Sequence, residues 1–418
     1  MAAAQQLSHV YPLGSRINER GNLEVGGCDT IELAREFGTP CFVVAEEDVR
    51  ARARAFVAAF AARCADFEVV FASKAFPCTA IYRLLWEEGI GCDVAGGGEL
   101  ALALAAGVDP QRIHMHGNAR SAAEIEQAVE AGVGTVVIDN LRDIDLLERS
   151  ARPGRAQRVL LRIAPGVSPD THPAISTGGP NTKFGFDLAH APAAIERAQA
   201  SDAIELEGLH FHIGSQILEL DPYREALRAL AGLGEFAAYN LGGGLGVAYR
   251  EQDDVPSIEA YVNAKIDAVE EVLGPRRIID EPGRALVANG CVTLYEVQSI
   301  KRNVDTYVAV DGGMSDNLRP MLYGARYEAQ IASRPGGGTR CHVVGKHCES
   351  GDILVRDAQL SDPRPGDVLV TPATGAYGHA MANNYNGALR PPVVFASGGD
   401  ARLVVRRDSH EDLLSRDV

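Results

Sequence analysis

The sequence lacks the features that mark several common classes of protein. It has no run of about 18 apolar residues, which argues against a membrane-spanning helix. It has no C-x-x-C pair, so no structural metal site is expected. Basic residues are in the minority, with 40 Lys and Arg against 56 Asp and Glu and a formal net charge of −16. Because nucleic-acid binding needs a basic face, nucleic acid is not an expected partner.

An export signal is also missing from the sequence. Residues 1–13 contain no basic segment followed by an apolar one, so we expect a cytoplasmic protein. The eight cysteines are then expected to be reduced and mostly buried. Glycine, by contrast, is abundant at 44 residues, and many of these are expected in tight turns and close backbone approaches.

The middle of the chain alternates short apolar strands with helical segments. The strand candidates are 68–72, 92–95, 113–116, 135–138, 159–163, 206–212, 239–241 and 277–280. Such alternation predicts a parallel sheet, and eight units suit a closed (β/α)₈ TIM barrel. A doubly wound open sheet is the alternative. No G-x-G-x-x-G follows the first strand, which favours the barrel.

The pattern changes after Arg284. Strand-like segments joined by Gly, Pro and Asp turns are found at 292–300, 306–310, 340–344, 352–354, 367–371 and 402–406. They predict a mostly antiparallel β-domain. The segment before residue 46 also reads as strand-like, most clearly at 40–45, and residues 48–62 read as a helix. We therefore expect a barrel over 46–285 and a β-domain built from 1–45 and 286–418.

Polar residues cluster where the predicted barrel strands end, which is where barrels place reactive groups. Lys74 ends the first strand, and an amine there suits a Schiff base, although snorkelling to solvent is the alternative. Gly242–Gly244 offers unobstructed backbone N–H groups for a phosphate, although a plain turn is the commoner meaning. Glu281 could hold a ring nitrogen, although a surface carboxylate is the alternative. His212 could pack on a ring face, although a lone histidine there is more often structural. Together these residues indicate pyridoxal 5′-phosphate (PLP).

The chain resembles the PLP-dependent decarboxylases of alanine-racemase fold. In the predicted barrel the matching motifs are F-A-S-K-A (71–75), C-D-V-A-G-G-G-E-L (92–100), H-G-N (116–118), K-F-G (183–185), H-I-G-S-Q (212–216), G-G-G (242–244) and E-P-G-R (281–284). In the β-domain they are D-G-G-M (311–314), R-P-x-L-Y (319–323), C-E-S-G-D (348–352), G-A-Y (375–377) and N-Y-N (384–386).

The resemblance implies a role for each motif. Lys74 would bind the cofactor covalently, His212 would stack on its ring and Glu281 would hold its protonated nitrogen. The phosphate would be bound by Ser215, Gly242, Gly243, Gly244 and Gly283. The other residues expected beside the cofactor are Asp93, His116, Arg162, Arg284 and Tyr377.

The resemblance also implies how the substrate is held. Arg284, Arg319 and Tyr323 would grip its distal carboxylate, as paired guanidinium groups allow. Glu349 would pair with its distal ammonium, and Tyr377 would lie close to it. Cys348 would donate the proton, reaching the active site of the other subunit in a homodimer with shared active sites.

Within the family the motifs are most similar to those of members that convert meso-2,6-diaminopimelate to L-lysine and carbon dioxide. The alternatives are decarboxylases of D- or L-ornithine, lysine or carboxynorspermidine, a racemase, and an inactive regulator with the same fold. Two arginines disfavour a substrate with one carboxylate, and the presence of Lys74 and Cys348 disfavours an inactive protein. Several positions depart from the family pattern. Ala119-Arg120 follow H-G-N, and Ala388-Leu389 lie before Arg390-Pro391. Phe76 stands where many relatives have Asn, and Lys346-His347 precede Cys348. Positive charge from Lys346 and His347 would favour the thiolate form of Cys348. The alternative is that this change is neutral surface drift.

Overall fold

A computed structural model describes residues 7–152, 154–167, 179 and 182–418. The chain forms two compact units. One contains 52–246 and 255–285, and the other contains 247–254, 286–418 and the described part of 1–51.

The described residues contain 21 strands and 13 α-helices. The strands are β1 (Arg16–Ile17), β2 (Leu23–Val25), β3 (Cys28–Asp29), β4 (Cys41–Ala45), β5 (Phe67–Ala72), β6 (Gly91–Val94), β7 (Ile113–Met115), β8 (Thr135–Ile138), β9 (Gln157–Ala164), β10 (Phe186–Asp187), β11 (Ile204–His210), β12 (Ala238–Asn240), β13 (Arg277–Asp280), β14 (Cys291–Arg302), β15 (Thr306–Val310), β16 (Gln330–Ile331), β17 (Thr339–Val344), β18 (Ile353–Leu360), β19 (Val368–Pro372), β20 (Val393–Ser397) and β21 (Asp400–Val405). The α-helices are α1 (Thr30–Phe37), α2 (Glu46–Ala61), α3 (Thr79–Glu87), α4 (Gly97–Ala106), α5 (Ala122–Ala131), α6 (Leu141–Ser150), α7 (Ala191–Gln199), α8 (Asp221–Leu230), α9 (Ile258–Leu273), α10 (Arg284–Val287), α11 (Arg319–Tyr323), α12 (Gly378–Met381) and α13 (His410–Leu414).

The first unit is a closed barrel of eight parallel strands, as predicted. Around the barrel the order is β5-β6-β7-β8-β9-β11-β12-β13, and β13 pairs with β5 to close it. Each predicted strand lies within two residues of its observed bounds. Val70, Val137, Leu160, Ala238 and Ile279 form one buried cluster from five of these strands. Because the strands are parallel, their carboxyl ends share one rim, which is where the polar strand ends meet.

Local sequence signals set the helices between the barrel strands. Ser121 caps α5, since its Oγ accepts the N–H of Glu124 at 3.2 Å while the Glu124 carboxylate accepts the N–H of Ser121 at 2.9 Å. This reciprocal arrangement is a capping box. Gly132 then ends the helix in the left-handed conformation, with φ 75°.

The second unit is built on a mostly antiparallel sheet, also as predicted. Its strands follow the order β18-β17-β15-β14-β4-β20-β21, with β19 pairing both β14 and β16. The amino-terminal strand β4 is central, because it pairs antiparallel with β14 and parallel with β20. The domain bounds 46–285 and 1–45 with 286–418 stay a prediction, and residues 1–6 lie outside the described part of the chain.

Some elements of this unit differ from the sequence patterns. The segment expected to be strand-like before residue 46 contains helix α1, which Asp29 caps by accepting the N–H of Ile31 at 2.9 Å. The strand expected at 352–354 continues to Leu360 as β18. Strand β20 is absent from the prediction because its apolar run Val393–Ala396 has no alternation to distinguish a strand from a helix.

The cysteines behave as expected from the sequence. All eight are free, six are buried and Cys348 is exposed. In the described ranges, no helix combines the length and the apolar character that crossing a bilayer requires.

Candidate functional site

Lys74 stands on a short turn at the rim of the barrel. Residues Ser73–Ala75 form a 3₁₀ turn directly after β5, and the Lys74 side chain is exposed. The N–H of Ala72 donates to the carbonyl of Pro282 at 3.1 Å. A side chain at Gly283 would lie 3.0 Å from the Cβ of Ala72, so only glycine fits comfortably there. The chain leaving β13 therefore packs directly against the turn that carries Lys74.

Glu281 lies at the centre of a buried polar cluster on the same rim. Its side chain is 6% exposed, which excludes a surface carboxylate. Asn240 donates to Oε1 at 2.6 Å, and the Nε2 of His116 lies 2.9 Å from the same oxygen. His210 Nε2 lies 3.3 Å from Oε2. Because an ionised carboxylate only accepts hydrogen bonds, Nε2 of His210 carries the proton.

The neighbours of Glu281 control its charge. Burial disfavours the ionised form, but the imidazoles of His116 and His210 outweigh burial and hold the pKa of Glu281 well below its usual range. Burial would also lower the pKa of His116, yet Asp93 and Glu281 raise it. For His210 burial dominates and lowers the pKa to about 4. The cluster thus contains an ionised Glu281 beside a neutral His210.

Asp93 shows the opposite behaviour. Burial raises its pKa to about 6, although His116 and Lys74 oppose this shift. Its carboxylate lies 3.7 Å from the Nε2 of His116. The predicted site therefore contains two buried carboxyl groups whose surroundings move their pKa values in opposite directions.

The backbone of Gly242–Gly244 is packed too closely against its neighbours for these residues to carry side chains. A Cβ at Gly243 would lie 2.0 Å from the carbonyl oxygen of Glu281, and Gly244 adopts a φ of 127°. The N–H of Gly243 donates to Nδ1 of His212 at 3.3 Å, which joins His212 to this segment. Burial, followed by Lys74 and Arg162, holds the pKa of His212 well below its usual value.

Arg284 and Ser215 meet beside this segment. The Arg284 guanidinium is 5% exposed and donates to Ser215 Oγ at 2.8 Å. Arg162, on β9, stacks its guanidinium 4.4 Å from the ring centroid of Phe184 in the K-F-G motif. The barrel thus brings all of its predicted cofactor residues to the carboxyl rim, and it places Arg162 against Phe184.

The geometry alone also suits a metal ion. His116, His210 and Glu281 each offer a ligand atom, and these atoms lie within 4.8 Å of one another. A hydrogen-bonded carboxylate and two imidazoles serve equally well to hold a protonated ring nitrogen.

The remaining predicted site residues belong to the β-sheet unit. Arg319 is 6% exposed on α11, and its guanidinium lies 4.6 Å from the ring of Tyr249 and 5.6 Å from that of Tyr327. The Tyr327 hydroxyl accepts a hydrogen bond from Arg319. The buried Nε of Arg319 has no hydrogen-bond partner among the described residues. Tyr323 is half-buried at the end of the same helix.

Tyr377 and the Cys348 loop complete the predicted residues of this unit. Tyr377 has a φ of 65°, a costly conformation for a side chain of this size. Cys348 and Glu349 are exposed, and the N–H of Cys348 donates to Asn386 Oδ1 at 3.1 Å. His347, by contrast, is buried, with its Nε2 2.8 Å from Ser315 Oγ.

Several residues of the site are not among those predicted. His210 and Asn240 complete the Glu281 cluster, and Lys265 lies buried on α9. Tyr249 and Tyr327 enclose Arg319. A signal existed for Lys265, because it occupies the apolar helical face formed with Tyr261 and Val269.

Comparison with known proteins gives consistent matches. Residues 46–288 match the family described as pyridoxal-dependent decarboxylase, pyridoxal binding domain. Diaminopimelate decarboxylases of Halalkalibacterium halodurans and Bacillus subtilis are 46% and 43% identical, and each alignment covers 97% of both chains.

Solved structures agree with the sequence matches. A diaminopimelate decarboxylase from M. jannaschii in complex with L-lysine superposes with a TM-score of 0.90 at 34% identity, covering 97% of each chain. One from Helicobacter pylori, also with L-lysine, gives 0.87 at 31% identity and covers 93% of this chain and 98% of that one. The chain therefore belongs to the pyridoxal-dependent decarboxylases, in the diaminopimelate decarboxylase family.

Proposed function

We propose that this chain decarboxylates meso-2,6-diaminopimelate to L-lysine and carbon dioxide with PLP as its cofactor. The observation that carries the chemistry is Glu281, a buried carboxylate kept ionised by two imidazoles. Protonation of its nitrogen makes a pyridine ring a stronger electron acceptor, and an ionised carboxylate holds that proton in place. Relatives of similar length that are diaminopimelate decarboxylases support the substrate.

The residues present fit PLP. The absence of side chains at Gly242–Gly244 would let a phosphate approach this backbone closely. Lys74 is exposed, and Ala72 and Ala75 on either side of its turn pack against Gly283. The described residues supply one donor to Oε2 of Glu281, His210, so this oxygen keeps a lone pair for a ring N–H.

The bound cofactor would supply an aldehyde that captures amines and a ring that accepts the electrons of the broken bond. Lys74 would hold the cofactor and later release the product. Asn240 and His210 would keep Glu281 oriented toward the ring nitrogen, and His212 would cover the ring face. Ser215 and the glycines would fix the phosphate, and Asp93, His116 and Arg162 would surround the ring.

Substrate selection is assigned to two arginines. Arg284, Arg319 and Tyr323 would bind the distal carboxylate, with Arg284 also beside the cofactor's phosphate. The buried Nε of Arg319 is a donor for such a carboxylate, since the described residues leave it without a partner. Glu349 would pair with the distal ammonium, and Tyr377 would lie against cofactor and substrate. These assignments in the β-sheet unit follow the family motifs.

Cys348 would protonate the carbon that loses its carboxylate. We propose that it acts in the partner subunit's active site, so that the working unit is a homodimer with shared active sites. The exposure of Cys348 supports this role, because a proton donor for another subunit has to be accessible on its own. The cytoplasmic location expected from the sequence stays a prediction.

The test is carbon dioxide release by the holoenzyme from meso-diaminopimelate, L-lysine, L-ornithine and D-ornithine. We expect kcat/KM for diaminopimelate to exceed the others by at least about 100-fold, because a monocarboxylate has no distal carboxylate to accept hydrogen bonds from the buried Arg319 guanidinium. Arg319→Met should lower kcat/KM for diaminopimelate and leave the weak activity on L-lysine unchanged. A preference for any monocarboxylate would overturn the substrate assignment.

A further inference from the structure

Lys265 is a fully buried lysine that the mechanism above does not use. It lies on α9 with 0% exposure, among Tyr261, Val262 and Ile266 on the inner face of that helix. A buried ammonium is costly unless it is paired and hydrogen-bonded. The groups that pair with the Lys265 ammonium therefore indicate its role.

The Lys265 ammonium bonds to the segment expected to bind phosphate. Its Nζ donates to the carbonyl of Gly242 at 2.8 Å and to that of Leu241 at 3.3 Å. It forms an ion pair with Asp280, which is also 0% exposed. Asp280 ends β13 and directly precedes Glu281. One ammonium thus ties the glycine segment to the strand end that carries the ring-nitrogen carboxylate.

Two tyrosines complete the arrangement. Each ring centroid, of Tyr223 and of Tyr261, lies 4.4 Å from Nζ of Lys265. The Tyr223 hydroxyl donates to the carbonyl of Gly243 at 2.7 Å, and the Tyr261 hydroxyl donates to Asp280 at 3.1 Å. The carbonyls of three successive residues, 241–243, are therefore each bound by a buried side chain.

We propose that Lys265 is a positioning residue for the cofactor's phosphate: by binding the Leu241 and Gly242 carbonyls, it fixes the Gly242–Gly244 backbone in the conformation that accepts the phosphate. Glycine segments are conformationally free, so a preorganised one needs an external restraint. Fixing the carbonyls on the Lys265 side also keeps their negative ends away from a phosphate dianion. The inference rests on the proposed role of Gly242–Gly244 in phosphate binding.

The test compares two ligands that differ only in the phosphate. The apoenzyme is titrated with PLP and with pyridoxal, and each dissociation constant is measured by absorbance. In Lys265→Met we expect PLP binding to weaken by at least about tenfold, as loss of hydrogen bonds from a charged group predicts, and pyridoxal binding to change less than about twofold. Tyr223→Phe, a milder change that keeps the core packed, should weaken PLP binding in the same selective way by about threefold.

Arg120→Met is the matched control. Arg120 is also a buried cation, which donates to the carbonyls of Met115 and Val137 and pairs with Asp143 at 2.6 Å. Its loss should leave the ratio of the two dissociation constants unchanged. If Lys265→Met and Tyr223→Phe also leave that ratio unchanged, the positioning role is wrong. If the wild type itself binds PLP no more tightly than pyridoxal, the phosphate site proposed above is wrong instead.

Discussion

Two carboxyl groups in the barrel differ in ionisation because their surroundings differ. Glu281 and Asp93 are both buried carboxyl groups near His116, yet burial raises the pKa of Asp93 to about 6 while imidazoles keep Glu281 ionised. The sequence could identify both residues because Asp93 lies within a predicted strand, Glu281 directly follows one, and both belong to motifs shared with the family. It could not show that His210 and Asn240 converge on Glu281, since they come from different strands, β11 and β12.

A residue at the opposite end of the barrel strands gives a pH-dependent prediction. Glu68, near the start of β5, is 6% exposed and lies 2.8 Å from both Arg112 and Arg277. Burial disfavours its charge, but His114 and Arg112 outweigh burial and lower its pKa. A depressed folded-state pKa stabilises the protein above the unfolded value, about 4.3, and this stability is lost as the pH falls through the folded value.

Glu68→Gln should therefore reduce stability at pH 7 by about 2 kcal/mol. Thermal unfolding followed by circular dichroism should show a lower Tm for the variant at pH 7, and the difference should shrink below about pH 4. Glu225→Gln, at an exposed position on α8, is the control and should leave Tm unchanged. A difference that grows as the pH falls would contradict the ion-pair explanation.

At the scale of elements, the segments that follow the barrel strands build the site. The turn after β5 carries Lys74, the segment after β12 is Gly242–Gly244, and the segment after β13 contains Glu281–Arg284. These strands are adjacent in the barrel, in the order β12-β13-β5. Parallel pairing therefore brings together residues that are more than 200 positions apart in the sequence.

The glycine segment gives the prediction at this scale. A Cβ at Gly243 would lie 2.0 Å from the carbonyl oxygen of Glu281, so Gly243→Ala has to displace one of the two backbones. We expect the dissociation constant of PLP to rise at least about tenfold. Gly98→Ala is the control, because nothing lies within 4 Å of a Cβ there, and it should bind PLP like the wild type. Equal affinities in all three proteins would show that this segment does not hold the phosphate.

The sequence predicted some secondary-structure elements and missed others. The eight barrel strands were predictable because each is a short apolar run flanked by turn residues or helices. Helix α1 and strand β20 were not, since α1 has only eight residues and β20 lacks a periodic pattern. The packing of Arg319 against Tyr249 and Tyr327 could not be predicted from the sequence either, because it brings together distant segments of the chain.

At the scale of the whole molecule, the chain divides its proposed chemistry between two units. The barrel carries Lys74 and Glu281, and the β-sheet unit carries Arg319, Tyr377 and Cys348. The charge of −16 argues against a nucleic-acid partner, yet the proposed ligands are a phosphate and carboxylates. Within the barrel, Lys74, Arg284 and backbone N–H groups would have to supply the local positive charge for them.

The proposed dimer gives the prediction at this scale. Lys74→Ala and Cys348→Ala should each be inactive alone, because they remove the cofactor's amine and the proton donor. If Cys348 acts in the partner subunit, mixing the variants with subunit exchange should restore about a quarter of wild-type activity, since half of the dimers regain one intact site. Proven exchange without recovery of decarboxylation would show that the sites are not shared.

The most direct test of the account is to identify the residue that holds PLP. The chain has lysine at only five positions, 74, 183, 265, 301 and 346, so the assignment is unambiguous. Borohydride reduction of the holoenzyme fixes the cofactor to its amine, and digestion with mass spectrometry then locates it. We expect a pyridoxyl group on the peptide that contains Lys74, and loss of the visible absorbance band in Lys74→Ala. Modification of another lysine, or an unchanged band in the variant, would contradict it.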